Sequence, residues 1–518
     1  MESIATRSAA RAGVAGGARS ARSGLVLLVV GLLAALAPQA AAASPAPDGT
    51  ADLAVTFPVH ATNTSRVACG TAGGDYVLHG HLTAPRSALS GSGAHAVTLY
   101  VHGLDVREWF WRFEAVAGYD YAHEMARAGL ASLTIDKLGY GASGRPGGNA
   151  SCVGVQADVV HQVVGLLRRG AYGVEDGTPV AFGRVALAGH SNGGVIAQVE
   201  AYSYKDVDAL LVLSWADQGF TQATEQSFAR AGVVCATGGE AEQPGYAYFG
   251  QTPDDFRAEF FHSAAEDVRA AATALRNPNP CGDMSSIPPA IAADQTGLAE
   301  IAVPVLVASG RDDAVFSADG VRQQRDHFSG SRDVSLAILD DTAHAVTLER
   351  TAPGFRELVA SWLGARGFAA APPGPGGPPG TPAPRPGPPA PPAPPAPPRP
   401  PAPPRSLHGC RAGGNIEVGT SGSDRLRGTR GADTLIGHGG RDRLLGFAGR
   451  DCLAGGRGPD RLAGGRGRDR LLGGPGHDVI DARDRHRDVV DCGRGRDVVR
   501  ADRRDVVRRC ERIRRRAR

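Results

Sequence analysis

Lysine is almost missing from this 518-residue chain: Lys137 and Lys205 are the only two, and arginine supplies the other basic charge. With the excess of alanine and glycine, that ratio points to a GC-rich genome rather than to an arginine-specific chemistry. Charge of one sign is missing too. The 56 basic and 53 acidic residues leave a formal +3, so bulk charge does not draw the chain to nucleic acid. Aromatics are sparse at 6%. No uninterrupted apolar run reaches the ~18 residues that read as a membrane span. Cysteine is scarce as well: eight residues, none in a paired metal-ligand spacing, are too few for a dense disulfide scaffold. Glycine (71) and proline (37) are plentiful instead. The chain is too long for one ordinary domain and, at 42% hydrophobic, too apolar to be disordered throughout.

The first 43 residues set the compartment. Arg7, Arg11, Arg19 and Arg22 precede an apolar stretch of 13 residues, Leu25 to Ala37, and small residues Ala41, Ala42 and Ala43 follow. That three-part pattern is a secretory signal peptide with cleavage before Ser44. The mature protein is then expected to be secreted, where disulfides persist. Pairing within each segment is expected, with Cys235–Cys281 and Cys492–Cys510 foremost. Composition divides the rest into three. Residues 51–368 resemble an ordinary globular protein. Residues 371–404 are mostly proline, alanine and glycine, with nothing to bury, and read as a semi-rigid spacer of roughly 100 Å in polyproline II. Residues 406–518 are rich in glycine, aspartate and arginine and visibly repeat.

The globular part alternates apolar strands with helical stretches. Strands are expected at Ala96 to Val101, Leu130 to Ile135, Arg184 to Ala188, Ala209 to Trp215, Val303 to Ser309 and Val334 to Leu339. Helices are expected around Val159 to Arg169 and Gly193 to Tyr202. Nearly continuous apolar strands alternating with helices mean an α/β fold, a mostly parallel sheet with helices on both faces. Functional groups then belong at the carboxyl ends of the strands. Gly189-His190-Ser191-Asn192-Gly193 stands there, between a strand and a helix, where G-x-S-x-G forms a nucleophile elbow. A serine needs a base, and the base an acid to orient it. His344 follows the last strand and can turn back over the sheet. Asp312 and Asp313 follow the strand before it; only one of two neighbouring side chains can face the histidine, and Asp313 is preferred. Asp217 is a third candidate. His190 is read as filling of the elbow, and Trp109, Phe110 and Trp111 as either an acyl pocket or a packed helix.

The order Ser191, Asp313, His344 on successive strand ends resembles the α/β-hydrolase superfamily of esterases, lipases and related enzymes, over about residues 95–365. The resemblance implies an oxyanion loop at His102-Gly103-Leu104-Asp105, with the N–H groups of Leu104 and Asn192 as the two donors. Asp136 to Ser143 is similar to the family's D-x-x-G-x-G-x-S loop, read as structural, with Lys137 where arginine is common. It also implies a cap, inserted at about 217–302, whose phenylalanines and tyrosines form either a pocket wall or the cap's own core.

Aspartates recur at 424, 433, 442, 451, 460, 469 and 478, a period of nine. The glycine-rich turns between them resemble the nonapeptide of RTX-type parallel β-rolls. In that reading leucine or isoleucine two residues after each aspartate points inward. Asp433, Asp442, Asp451, Asp460, Asp469 and Asp478 offer hard oxygens to structural Ca²⁺. Phe447-Ala448 departs from the pattern, and the register loosens after Asp478. The basic end is compatible with contact to an anionic cell surface or polysaccharide. The leading expectation is therefore a secreted serine hydrolase that cleaves a small-molecule ester, less readily an amide, with no cofactor for catalysis. The rival expectation is a calcium-binding surface or adhesion protein with a vestigial hydrolase part.

Overall fold

The computed structural model describes residues 49–71, 73–90, 95–175, 177–369, 415–419 and 422–515. The leader, the proline-rich spacer, Cys410 and the last three residues lie outside them. Among the described residues no helix is long and apolar enough to cross a membrane.

Eight strands form the first part of the main sheet: β1 (Thr50–His60), β2 (Asp75–Pro85), β3 (His95–Val101), β4 (Ser132–Ile135), β5 (Phe182–His190), β6 (Ala209–Leu213), β7 (Val305–Gly310) and β8 (Val334–Leu339). Their spatial order is β1-β2-β4-β3-β5-β6-β7-β8. The β1–β2 and β2–β4 pairs are antiparallel and every later pair is parallel. The six expected strands are all present, with ends moved by a few residues. The β1–β2 hairpin was not anticipated. Its first strand alternates, with Val55, Phe57 and Val59 buried and Pro58 and His60 exposed, as suits a strand covered on one face only. The central strand β6 is buried at all five positions, because helices cover both faces there.

Among the described residues ten α-helices accompany these strands: α1 (Tyr121–Arg127), α2 (Val153–Arg169), α3 (Asn192–Tyr204), α4 (Gln222–Ala236), α5 (Pro253–Phe260), α6 (Glu266–Ala274), α7 (Cys281–Ser285), α8 (Ile287–Gly297), α9 (Ala318–His327) and α10 (Ala352–Ala365). Helix α2 stops where Gly170 takes the left-handed conformation (φ 61°). Helix α5 starts from a reciprocal cap between Thr252 and Asp255. Helices α4 to α8 lie between β6 and β7 in sequence. The Cys235–Cys281 disulfide joins α4 to α7, and Cys69–Cys152 ties the loop after β1 to the start of α2.

The repeat is a parallel roll of two ladders. One ladder runs through Arg425–Arg427, Arg443–Leu445, Arg461–Ala463, Val479–Ala482, Val498–Ala501 and Arg512–Arg515. The other begins with β9 (Asn415–Val418) and continues through Asp433–Ile436, Cys452–Ala454, Arg470–Gly476, Val489–Gly495 and Val506–Arg508. Two nonapeptides make one coil, so partners stand 18 residues apart, as in Leu426, Leu444 and Leu462. Those leucines, with Leu435, Leu453, Leu471, Ile480, Val490 and Val499, fill the interior. The loosened register after Asp478 does not end the roll. One extra residue is absorbed in the turn near Arg485 (φ 77°), Val479 pairs with Val498, and the Cys492–Cys510 disulfide fastens the last coils.

The roll is continuous with the larger sheet. Strand β9 pairs in parallel with β8, from Leu336 opposite Asn415 to Leu339 opposite Val418. Ile416, Val418 and Ile436 share a buried cluster with Phe355, Leu358 and Trp362 of α10.

Phe447 marks a local misfit. Its backbone is left-handed (φ 70°), like that of His438 one nonapeptide earlier (φ 68°), at a turn position that glycine fills in the next three nonapeptides, at Gly456 (φ 99°), Gly465 and Gly474. The side chain is half exposed. A left-handed non-glycine residue costs about 1–2 kcal/mol, part of which glycine gives back in chain entropy. Phe447→Gly is therefore expected to stabilise the roll by ~0.5–1 kcal/mol. A calcium-loaded thermal melt checks this, and an unchanged or lower midpoint would contradict it.

Candidate functional site

Ser191 occupies the turn between β5 and α3. Its φ of 54° and ψ of −124° are strained for a residue with a side chain. The Ser191 N–H donates to Leu213 O on β6 at 2.8 Å, and Gly194 N–H donates to Ser191 O at 2.6 Å. The neighbouring glycines are obligatory on steric grounds. A Cβ on Gly189 would lie 1.9 Å from Gly193 O, and one on Gly193 would lie 2.3 Å from Val101 O. The turn is thus clamped between β3 and its own helix.

His344 lies in the loop after β8 and is buried. Its Nδ1 faces Asp313, at 3.0 Å from Oδ2 and 3.2 Å from Oδ1. The Asp313 carboxylate is fixed in turn: Oδ1 accepts from Val315 N–H (2.8 Å) and Phe316 N–H (3.2 Å), and Oδ2 accepts from Ser309 Oγ (3.1 Å). Asp312 is exposed and points elsewhere, while its N–H donates to Thr342 O. Asp217 belongs to a different network, accepting from Trp215 Nε1 at 3.0 Å. Of the three candidate acids, Asp313 is the one brought to the histidine.

His190 and His344 touch, with ring centroids 4.8 Å apart. His190 Nε2–H donates to His344 O at 2.9 Å, and its ring stacks on Phe110 at 4.2 Å. Burial, followed by the field of His344, pushes the His190 imidazole well below its usual range, so it stays neutral. These contacts hold the loop of His344 against the serine turn. Among the described residues the Ser191 hydroxyl makes no hydrogen bond, so Ser191 and His344 share one strand-end surface without a bond between them.

The oxyanion candidates lie on either side of the serine. A Cβ on Gly103 would fall 2.9 Å from Ser191 Cβ, so the loop carrying Leu104 abuts the elbow. Among the described residues no protein acceptor takes the N–H of Leu104 or Asn192. Both are left to donate to an incoming oxygen.

Lys137 has a larger role here than its loop suggested. The residue is buried, and its Nζ donates to Asn192 Oδ1 at 2.6 Å and to Asp283 Oδ2 at 3.4 Å. Burial lowers its pKa to about 8, and the nearby Asp283 opposes that shift. It joins the Asn192 side of the turn to α7 of the insertion. No local pattern announced a contact between residues 55 positions apart.

The insertion roofs the site. Phe260, at the end of α5, meets the His344 ring edge-on at 5.1 Å, and Phe260 O accepts from Ala345 N–H at 2.9 Å. Phe316 lies on another side at 5.9 Å and continues through Phe220 and Phe228 to Phe249. The cap's aromatics therefore pack into the two clusters that flank the sheet, with Phe260 reaching the histidine. Trp111 packs among Tyr100, Tyr121 and His190, so that aromatic run is core as well. Glu259, beside Phe260, is buried; its carboxyl contacts Ser227 Oγ, and burial raises its pKa to about 7.

The roll presents a second chemistry. One oxygen of each repeat aspartate accepts the N–H of the aspartate a coil earlier: Asp451 Oδ1 from Asp433, Asp460 Oδ1 from Asp442 and Asp478 Oδ1 from Asp460, each at 2.9 Å. The other oxygen is buried without a protein partner in Asp442, Asp451, Asp460, Asp469 and Asp478, and also in Asp488 and Asp497. A Cβ on Gly437 would lie 2.3 Å from Asp442 Oδ2 and 2.5 Å from Gly455 O. One on Gly473 would lie 2.4 Å from both Asp478 Oδ2 and Cys492 O. Each slot, kept open by glycine, thus gathers a carboxylate and a carbonyl oxygen, the donor set of a hard cation such as Ca²⁺. Burial accordingly pushes the carboxyls up, to about 7 at Asp442, Asp451, Asp478 and Asp488 and to about 6 at Asp460 and Asp469. Asp433 differs, because Thr429 donates to its Oδ2 from both N–H (2.7 Å) and Oγ1 (3.3 Å). Asp488 and Asp497 escaped the strict nine-residue period because of the single inserted residue before them.

Two family profiles match separate stretches of the chain. The alpha/beta hydrolase family profile matches residues 98–358. The RTX calcium-binding nonapeptide repeat profile matches residues 418–453 and 445–480. No curated protein matches the chain. Among solved structures, a thermophilic esterase from Thermogutta terrifontis is 18% identical with a TM-score of 0.42, covering 60% of this chain and 98% of its own. The enol-lactonase of Burkholderia xenovorans is 18% identical with a TM-score of 0.40, covering 56% and 97%. A monoacylglycerol lipase from Paleococcus ferrophilus is 17% identical with a TM-score of 0.38, covering 53% and 96%.

Proposed function

Because the chain belongs to the alpha/beta hydrolase family, we propose that it is a serine hydrolase that opens ester bonds, and amides less readily, through an acyl-enzyme. The supporting observation is the buried Asp313–His344 pair, 3.0 Å apart, beside the strained turn that presents Ser191. In this reading Ser191 Oγ attacks the substrate carbonyl while His344 Nε2 takes its proton. Asp313 holds the Nδ1 proton and stabilises the imidazolium. The N–H groups of Leu104 and Asn192 bind the oxyanion as the carbonyl becomes tetrahedral. His344 then protonates the leaving alcohol, and water, activated by the same imidazole, releases the acid. Phe260 and Phe316 give the acyl group an apolar surround.

The roll would hold structural Ca²⁺ through Asp442, Asp451, Asp460, Asp469, Asp478, Asp488 and Asp497 with carbonyls of the adjoining coil. Bound calcium supplies charge compensation for those carboxylates, and the catalytic steps need none of it. A leader of signal-peptide type, three disulfides among the described residues and calcium-binding repeats together support export.

A fluorophosphonate probe tests the assignment. Wild-type protein should be labelled and should hydrolyse p-nitrophenyl esters, and Ser191→Ala should do neither. Labelling that survives the substitution would refute Ser191 as nucleophile.

A further inference from the structure

Far from the serine, at the other end of α3, three ligating side chains converge. His161 comes from the middle of α2, Glu200 from the last turns of α3 and Asp206 from the segment just after it. One ligand atom of each lies within 4.8 Å of the others. His161 Nδ1 and Asp206 Oδ2 are 2.8 Å apart. The His161 ring is oriented by stacking on Tyr204, with centroids 4.0 Å apart and planes 10° from parallel.

Glu200 is the anomaly. It is fully buried, no nitrogen or hydroxyl donor reaches either carboxylate oxygen, and the polar group it meets is the Asp206 carboxyl. Asp206 Oδ1 is likewise buried without a nitrogen or hydroxyl donor, so the two carboxyls are left to each other. A buried carboxylate without a partner is costly, and two facing each other cost more. The nearby cation does not resolve this: Arg168 Nε donates to Asp206 O, and its Nη2 to Asp208 Oδ2 at 2.9 Å. Burial, and then the neighbouring Asp206, drives the Glu200 carboxyl well above its usual range. Two buried carboxyls without a nitrogen or hydroxyl donor, Glu200 and Asp206 Oδ1, thus converge on a point that an imidazole nitrogen also faces.

We propose that His161, Glu200 and Asp206 form a binding site for a zinc-class divalent cation. An imidazole with two carboxylates suits Zn²⁺ and its transition-metal neighbours, whereas Ca²⁺ and Mg²⁺ take oxygen donors. Ligand bonds near 2.0 Å at tetrahedral angles place donors about 3.3 Å apart. The His161–Asp206 separation needs only a small widening to reach that value. Three protein ligands leave a fourth position for water, on the side where His161 and Asp206 are partly exposed. Nine residues of helix, about 13 Å, separate Glu200 from Ser191, so the ion does not touch the reacting atoms. Its part is to clip α2 to the carboxyl end of α3, where a cation also complements the helix dipole. The site is chemically distinct from the all-oxygen slots of the roll.

The test uses the full chain in excess calcium, which saturates the roll, after removal of transition metals. Equilibrium dialysis against zinc should leave wild type with one more equivalent than either Glu200→Gln or His161→Ala. Zinc should raise the thermal midpoint of wild type by several degrees and leave both variants unmoved. Metal-free Glu200→Gln should melt at or above metal-free wild type, because a neutral amide replaces a buried carboxyl, so loss of folding does not account for lost binding. Equal zinc retention by all three proteins would overturn the proposal and leave a carboxyl pair sharing one proton.

Discussion

Asparagine in place of Asp313 is expected to lower kcat on a p-nitrophenyl ester by about 10³–10⁴-fold with little change in KM. The reason lies in the hydrogen bonds around the carboxylate. Val315 and Phe316 N–H both donate to Oδ1, and an amide would keep its oxygen there. Its NH₂ group would then face His344 Nδ1, where the carboxylate now accepts at 3.0 Å. That nitrogen would have to give up its proton, which moves the imidazole proton to Nε2. The atom that deprotonates Ser191 in the proposed mechanism would then be a donor. Asp312→Asn provides the control, because that side chain is exposed and does not contact the imidazole. It should keep activity within about two-fold, as surface changes usually do. Steady-state kinetics of the two variants decide the matter, and equal losses, or a larger loss at 312, would remove Asp313 from the site.

Calcium removal should produce the largest change in stability, and its sign should depend on pH. The ordinary aspartate pKa is about 3.9. Burial raises it to about 6 or 7 at Asp442, Asp451, Asp460, Asp469, Asp478 and Asp488. A raised folded pKa means that folding favours the protonated carboxyl. That contribution is complete below about pH 4 and is lost as pH rises through 6 to 7. At pH 8 the groups are charged, buried and uncompensated. In chelator, the calorimetric transition of the roll should therefore fall by ~10 °C or more between pH 5 and pH 8. At pH 8, added calcium should restore it, and the gain from calcium should shrink toward pH 5 as protons compete for the same oxygens. A chelated roll equally stable at both pH values would contradict this account.

The parts of this structure that were legible in the sequence are those with local chemical causes. Gly189 and Gly193 flank Ser191 because any Cβ there would overlap backbone, so the elbow was written in five consecutive residues. The roll was legible because each coil repeats the same glycine, aspartate and leucine demands. Asp312 and Asp313 could be ordered only weakly, since which one faces inward depends on the turn that presents Val315 and Phe316 N–H. The β1–β2 hairpin is hard to read from sequence although Val55, Phe57 and Val59 alternate, because Pro58 and the polar partners disguise the period. Contacts such as Lys137 with Asn192, or His161 with Asp206, join distant stretches and leave no local trace.

The pairing of β9 with β8 has a consequence for truncation. A chain ended after residue 369 would strip β8 of its neighbour and bare the row of main-chain donors and acceptors that now bind Asn415–Val418. It would also uncover the face of α10 on which Ile416, Val418 and Ile436 pack. An open, apolar border of that kind invites sheet-to-sheet stacking between molecules. Clumping of such a shortened protein would then be a matter of an unfinished β-surface, and would carry no information about whether turnover requires the ion.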